Sequence, residues 1–121
     1  QDDENVTKAA IELKFFKKNN HREPNNRYDV FKDISNLEQY KEHDIDLCYF
    51  ILATDHSHYY NQKQYSIDTS DFDFRHGSSY PAGKKLQYKT SKPYGSDIAL
   101  KNNYNFIWEN INDLYFLKIE V

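Results

Sequence analysis

The chain has 121 residues and a formal net charge of -3, with 38% hydrophobic and 17% aromatic residues. It fits one domain, residues 1–121, and no run approaches the ~20 consecutive apolar residues that span a bilayer, which excludes a transmembrane helix and a membrane partner. A single Cys excludes a disulfide scaffold, three Gly and three Pro exclude collagen-like and Pro/Gly-rich disordered classes, and a pI of about 5.9 argues against a protein that coats nucleic acid through bulk charge.

No basic stretch followed by an apolar segment opens the chain, and with one Cys a reducing bacterial cytoplasm is the expected setting. The first patterned segment is Lys8-Ala9-Ala10-Ile11-Glu12-Leu13-Lys14-Phe15-Phe16. Alternation predicts a strand with Ile11, Leu13 and Phe15 in a core and Ala10, Glu12, Lys14 and Phe16 on the opposite face. A polar loop over 17–26 follows. Residues 28–41 then carry Val30, Ile34, Leu37 and Lys41 at steps of four, three and four. That spacing predicts one amphipathic helix, capped by Asn25 or Asn26 and exposing Lys32, Asn36 and Gln39. Leu47 to Ala53 are seven successive apolar residues, expected as a strand buried on both faces. Strand, helix and buried strand together predict a βαβ unit with parallel strands.

From residue 55 onward the chain is rich in Tyr, Asp, Ser and Lys. Short β-like runs occupy 64–68, 86–90, 98–100, 104–108 and 114–121, with Asn112-Asp113 placed to turn a hairpin. Tyr104, Ile107, Trp108, Ile111 and Tyr115 also fit helical spacing, but the aromatic and β-branched content favours strands.

Glu12 and Lys14, two apart on a strand, project from the same face about 7 Å apart along the chain. A carboxylate and an ammonium so presented must be solvated, paired or metal-bound. A carboxylate that binds a hard divalent cation, beside a Lys that stabilises charge at phosphorus, is the chemistry of a phosphodiester nuclease. A Glu-x-Lys tripeptide is common by itself and serves equally as an exposed surface pair.

The run Ala10 to Phe16, the polar loop, the helix with Asp33, Ile34 and Leu37, and then Tyr49 to Asp55 resemble the PD-(D/E)xK nuclease superfamily, also called restriction endonuclease-like. The resemblance spans residues 6–55. It implies an α/β fold, with a restriction endonuclease-like mixed sheet and flanking helix in residues 1–55 and a β-rich C-terminal extension in 56–121. It further implies Mg²⁺-dependent hydrolysis of DNA phosphodiesters, Glu12 and the main-chain carbonyl of Leu13 as metal ligands, Lys14 as the catalytic lysine, and homodimers. The family's metal-binding Asp lies one strand earlier. Asp2 and Asp3 fall within its range, yet Gln1 to Asn5 reads better as a turn into the Glu-x-Lys strand. With no Met in the chain, the expectation is a nuclease core incomplete at its N-terminus. The alternative is a non-catalytic or truncated module that binds nucleic acid or protein.

Other candidates are weaker. Lys84, Lys85, Lys89 and Lys92, interleaved with Tyr80, Tyr88 and Tyr94, could contact phosphates and unstacked bases, or form a solvated β surface. Asp55, His56 and His58 could bind a transition metal but suit a polar loop. His76 reads the same way, and Cys48 as a core residue; Asp33 could face the Glu12 side, but a solvated helix face is the preferred reading. No Gly-rich phosphate loop is present, so an NTPase is not expected.

Overall fold

The computed structural model describes residues 6–17, 23–61, 70–90 and 93–121. Strand β1 (Ala9–Phe16) leads to helix α1 (Glu23–Glu42), then strand β2 (Leu47–Thr54) and the short helix α2 (Ser57–Asn61). Two-residue strands β3 (Ser79–Tyr80), β4 (Lys85–Leu86), β5 (Ile98–Ala99) and β6 (Tyr104–Asn105) follow, then β7 (Trp108–Ile111) and β8 (Leu114–Glu120). A four-stranded mixed sheet runs β1-β2-β8-β7, with two small ladders, β3-β6 and β4-β5, beside it. The fold is mixed α/β, a central sheet with flanking helices. Among the described residues no helix is long and apolar enough to cross a membrane.

The expected βαβ unit is present. β1 and β2 are parallel, in register from Ala9 opposite Leu47 to Phe16 opposite Thr54. Helix α1 starts earlier than expected, at Glu23, with Pro24 in its first turn, where a missing N–H costs nothing. Asn25 and Asn26 therefore lie inside the helix rather than capping it. Asn25 accepts a hydrogen bond from the Tyr88 hydroxyl (3.1 Å), and Asn26 donates one to the Tyr59 hydroxyl (3.0 Å). Asn112 and Asp113 turn the β7–β8 hairpin, both with positive φ (51° and 66°), the backbone that a two-residue type I′ turn requires. The helical alternative for 104–115 is thereby excluded.

Four expectations are corrected. The core face of β1 is the opposite one: Ile11, Leu13 and Phe15 are 55%, 70% and 51% exposed, while Ala10, Glu12, Lys14 and Phe16 turn inward. Both faces of β1 carry apolar residues, so alternation alone does not choose. The choice comes from α1, which covers the face on which Glu12 lies beside Phe50 and Lys14 beside Leu52. β2 is buried on that face only; Leu47, Tyr49, Ile51 and Ala53 look outward and keep contact with solvent. The segment after β2, expected as a loop, begins helix α2 at Ser57. Of the C-terminal runs, 86–90 shrinks to a two-residue strand, 104–108 divides between β6 and β7, and 64–68 lies outside the described residues.

Rings fill the interior, in keeping with eleven Tyr and eight Phe in the sequence. Phe31 of α1 is fully buried and lies against Phe72, Phe74, Tyr80 and Phe106, with ring centroids 5.0–6.4 Å apart. Buried polar tips find partners: Trp108 Nε1 donates to the Phe74 carbonyl (2.7 Å), and the Tyr80 hydroxyl donates to the Asp71 carbonyl (2.6 Å). At Gly95 the chain passes so close to Tyr28 that a Cβ would overlap its ring, and the Tyr28 hydroxyl is held by the Ser96 carbonyl (2.9 Å).

One buried carboxylate joins α1 to the C-terminal half. Glu38 accepts the N–H groups of Lys101 (2.9 Å) and Asn102 (3.1 Å) and the Tyr104 hydroxyl (2.7 Å). Glu38→Ala strands these three donors, so a loss of about 3–5 kcal/mol in urea unfolding is expected, with Glu38→Gln losing less.

Candidate functional site

Glu12 and Lys14 sit on β1, an edge strand whose other side pairs with no strand among the described residues. Their side chains share the inward face, beneath α1. Lys14 Nζ lies 3.0 Å from Asp33 Oδ2 of the helix, with the two side chains 25% and 18% exposed. Such partial burial makes the pair stronger than a surface ion pair yet leaves the lysine reachable.

Helical spacing explains the meeting. Val30, Ile34 and Leu37 are buried along one row of α1. Asp33 and Tyr40 lie to one side of that row, seven residues or two turns apart, and Asn36 sits between them. Glu12, Asp33, Asn36, Leu37 and Tyr40 line one small cleft of about 130 Å³. Burial raises the Asp33 pKa; the Lys14 hydrogen bond and charge oppose this, while the Glu12 and Asp29 charges reinforce it. The Glu12 and Asp33 carboxylates thus share one semi-enclosed space at the sheet's open edge, with the Lys14 ammonium paired to Asp33. Asp33, expected on a solvated helix face, belongs to the site. Its signal in the sequence was its position three residues after Val30 and four before Leu37, on the flank of the apolar row. Asn36, expected exposed, is likewise drawn into the cleft.

The other expected ligands are not assembled with this group. Asp2 and Asp3 lie outside the described residues, as does Lys92. Among the described residues no group of three or more His, Cys, Asp or Glu side chains could hold a metal ion. Lys84 lies over the Tyr80 ring (5.1 Å), Lys85 pairs with Asp97 (3.4 Å) and Lys89 with Asp71 (3.3 Å). Tyr80 is buried and Tyr88 half-buried, its phenol pushed up to about 12 by burial, so of the three interleaved tyrosines only Tyr94 is exposed. Cys48 is buried and its thiol pKa is raised by desolvation, which suits a core residue. His56 meets Tyr59 edge-on (5.4 Å) at the start of α2.

A second, wider cavity of about 470 Å³ is lined by Tyr60, Asn61, Asp73, Arg75, His76, Gly77 and Ser78. Arg75 grips Asp73 with two bonds, Nε to Oδ1 (2.8 Å) and Nη2 to Oδ2 (2.6 Å). His76 Nδ1 accepts the Trp108 N–H (3.0 Å), and its ring stacks on Tyr60 (5.4 Å). That bond places the proton of neutral His76 on Nε2. The Asp73–Arg75 pair was not singled out in the sequence, because opposite charges two residues apart are common.

Comparison with protein-family models, with curated proteins and with solved structures gives no match.

Asp33 and Asp73 should titrate on opposite sides of 3.8. At Asp73, burial acts upward but the Arg75 hydrogen bonds and charge outweigh it, and the pKa is lowered. The stability Asp73 contributes is therefore present above 3.8 and lost as pH falls through its folded value. Asp33, raised, binds more protons folded than unfolded, so its contribution weakens as pH rises from 3.8 to its folded value. Carboxyl-carbon NMR titration checks both; equal midpoints would contradict the burial and pairing described.

Proposed function

We propose that the chain is a restriction endonuclease-like module that hydrolyses DNA phosphodiesters with Mg²⁺, with Glu12, Asp33 and Lys14 as its working side chains. The observation that carries the reading is the cleft between β1 and α1 lined by Glu12 and Asp33, with Lys14, on the same face of the edge strand as Glu12, paired to Asp33. The donor set fits the ion: Glu12 and Asp33 offer hard oxygen ligands, and Mg²⁺ is commonly held by one or two carboxylates, with waters and substrate phosphate completing its shell. Burial is the main cause of the raised Asp33 pKa and the Glu12 charge adds to it; a divalent cation held by the two carboxylates would offset that added repulsion. When bound, the ion supplies Lewis-acid stabilisation of charge at phosphorus.

The chain's own residues do the rest. Asp33 Oδ2 holds the Lys14 ammonium at a fixed height above β1. Lys14 Nζ, a three-proton donor, hydrogen-bonds a non-bridging phosphate oxygen and orients the attacking water. The Leu13 carbonyl is a further oxygen ligand in the family's pattern. Lys84, beside Tyr80, is the DNA-contacting lysine that no carboxylate engages in the ion pairs above, whereas Lys85 and Lys89 would have to exchange Asp97 and Asp71 for phosphate.

A second reading, a nuclease-like module that binds nucleic acid or protein without cleaving it, is favoured by the lack of a third metal-ligating side chain among the described residues. Incubation with supercoiled DNA and Mg²⁺ separates the two. Under the first reading the wild-type chain nicks the DNA, and Glu12→Ala and Lys14→Ala each lose at least ~100-fold in rate, about 2.7 kcal/mol of transition-state stabilisation. Asp33→Asn should lose about as much, because it removes one of the two carboxylates offered to the ion and the partner of Lys14. Absent cleavage, or equal cleavage by all variants, removes the catalytic reading.

A further inference from the structure

The outward face of the central sheet is apolar. Ile11, Leu13, Phe15 and Leu47 are each more than two-fifths exposed there, together with Ala9, Tyr49, Ile51, Ala53 and Phe116. A monomer's largest apolar patch is ordinarily a few hundred Å², and patches of this kind mark interaction sites.

Strand register arranges this face in rows. Ala9 lies beside Leu47. The next row is Ile11, Tyr49 and Glu120; the third is Leu13, Ile51 and Lys118; the fourth is Phe15, Ala53, Phe116 and Glu109. Lys118 Nζ stands 4.9 Å from the centre of the Tyr49 ring, so its charge projects from the middle of the face. Strand β8 thus holds a cation and an anion one row apart on this face.

We infer that this face is the interface of a two-fold homodimer, in which the β1-β2-β8 surface of one copy stacks on the same surface of the other. The rows are self-complementary about a two-fold axis that crosses the strands between the Glu120 and Lys118 rows. That operation sets Leu13 over Ile11 of the second copy, Ile51 over Tyr49, Leu47 over Ala53 and Phe15 over Ala9. It also sets Lys118 over Glu120, and Glu120 over Lys118. On β1 and β2 apolar groups meet apolar groups, and on β8 Lys118 meets Glu120, as an isologous interface demands; Phe116 and Glu109 lie beyond these pairs. Stacked sheets keep their strands within about 30° of alignment, so the match survives sheet twist near the axis. Ile11, Leu13, Phe15 and Leu47, 41–70% exposed, supply apolar area of the kind a standard-size interface buries, about 800 Å² per partner.

Sedimentation equilibrium over about 1–200 μM tests this directly. The full chain should shift from its monomer mass of 14.5 kDa toward twice that value. Leu13→Lys should weaken the dimer at least ~10-fold while circular dichroism stays unchanged. Lys118→Glu and Glu120→Lys should each weaken it similarly, because each opposes like charges. An equimolar mixture of those two variants should recover heterodimer affinity to within a few-fold of the wild type. Positions 118 and 120 are then both acidic in one copy and both basic in the other, so opposite charges face each other across the axis. A chain that remains monomeric throughout overturns the inference, as does self-association that ignores these three substitutions or a mixture that fails to recover.

Discussion

The setting of helix α1 rests on the buried Glu38 carboxylate. A carboxylate in that position is costly unless its oxygens are filled, and Lys101, Asn102 and Tyr104 fill them. Tyr104 responds in kind: burial and the Glu38 hydrogen bond raise its pKa. Rotating α1 away from the 101–104 loop would lose all three donors at once, so the helix has one rotational setting. Positions 33 and 38 are about 140° apart around the axis. Turning Glu38 toward the C-terminal half therefore turns Asp33 toward β1, where Lys14 meets it.

The same setting decides which face of β1 is inside. The face that α1 covers carries Glu12 and Lys14, polar groups that need partners and find Asp33, Asn36 and the cleft. The face left outside carries Ile11, Leu13 and Phe15. A strand whose charged side is sheltered and whose apolar side is exposed reverses the usual amphipathic arrangement. Sheltering concentrates charge in a small volume, the condition under which carboxylates shift their pKa and an ammonium can serve a phosphate. Exposure of the other side leaves an apolar surface that association can cover.

Much of the framework was legible locally. The β1–α1–β2 unit followed from alternation, a four-three-four apolar spacing and a seven-residue apolar run, and the parallel pairing agrees. Asn112-Asp113 announced the hairpin because few residues tolerate two successive positive φ values. The short ladders β3-β6 and β4-β5 were less legible: two-residue strands exist only because distant segments meet, and no window of sequence contains both partners. Asn25 and Asn26, plausible caps by type, are instead tied to Tyr88 and Tyr59, more than thirty residues away.

The sequence by itself determined the β1–α1–β2 unit, the aromatic character of the core and the placing of Glu12 and Lys14 on one face of a strand. These depend on spacing and on side-chain size, which are local properties. Only the tertiary structure decided that this face is the sheltered one, that Asp33 joins it, and that Lys85 and Lys89 are already paired with Asp97 and Asp71. The physical reason lies in the period of a strand. Two residues per repeat make the two faces equivalent until a third element covers one of them, and α1 does so through a carboxylate whose partners lie some sixty residues further along the chain.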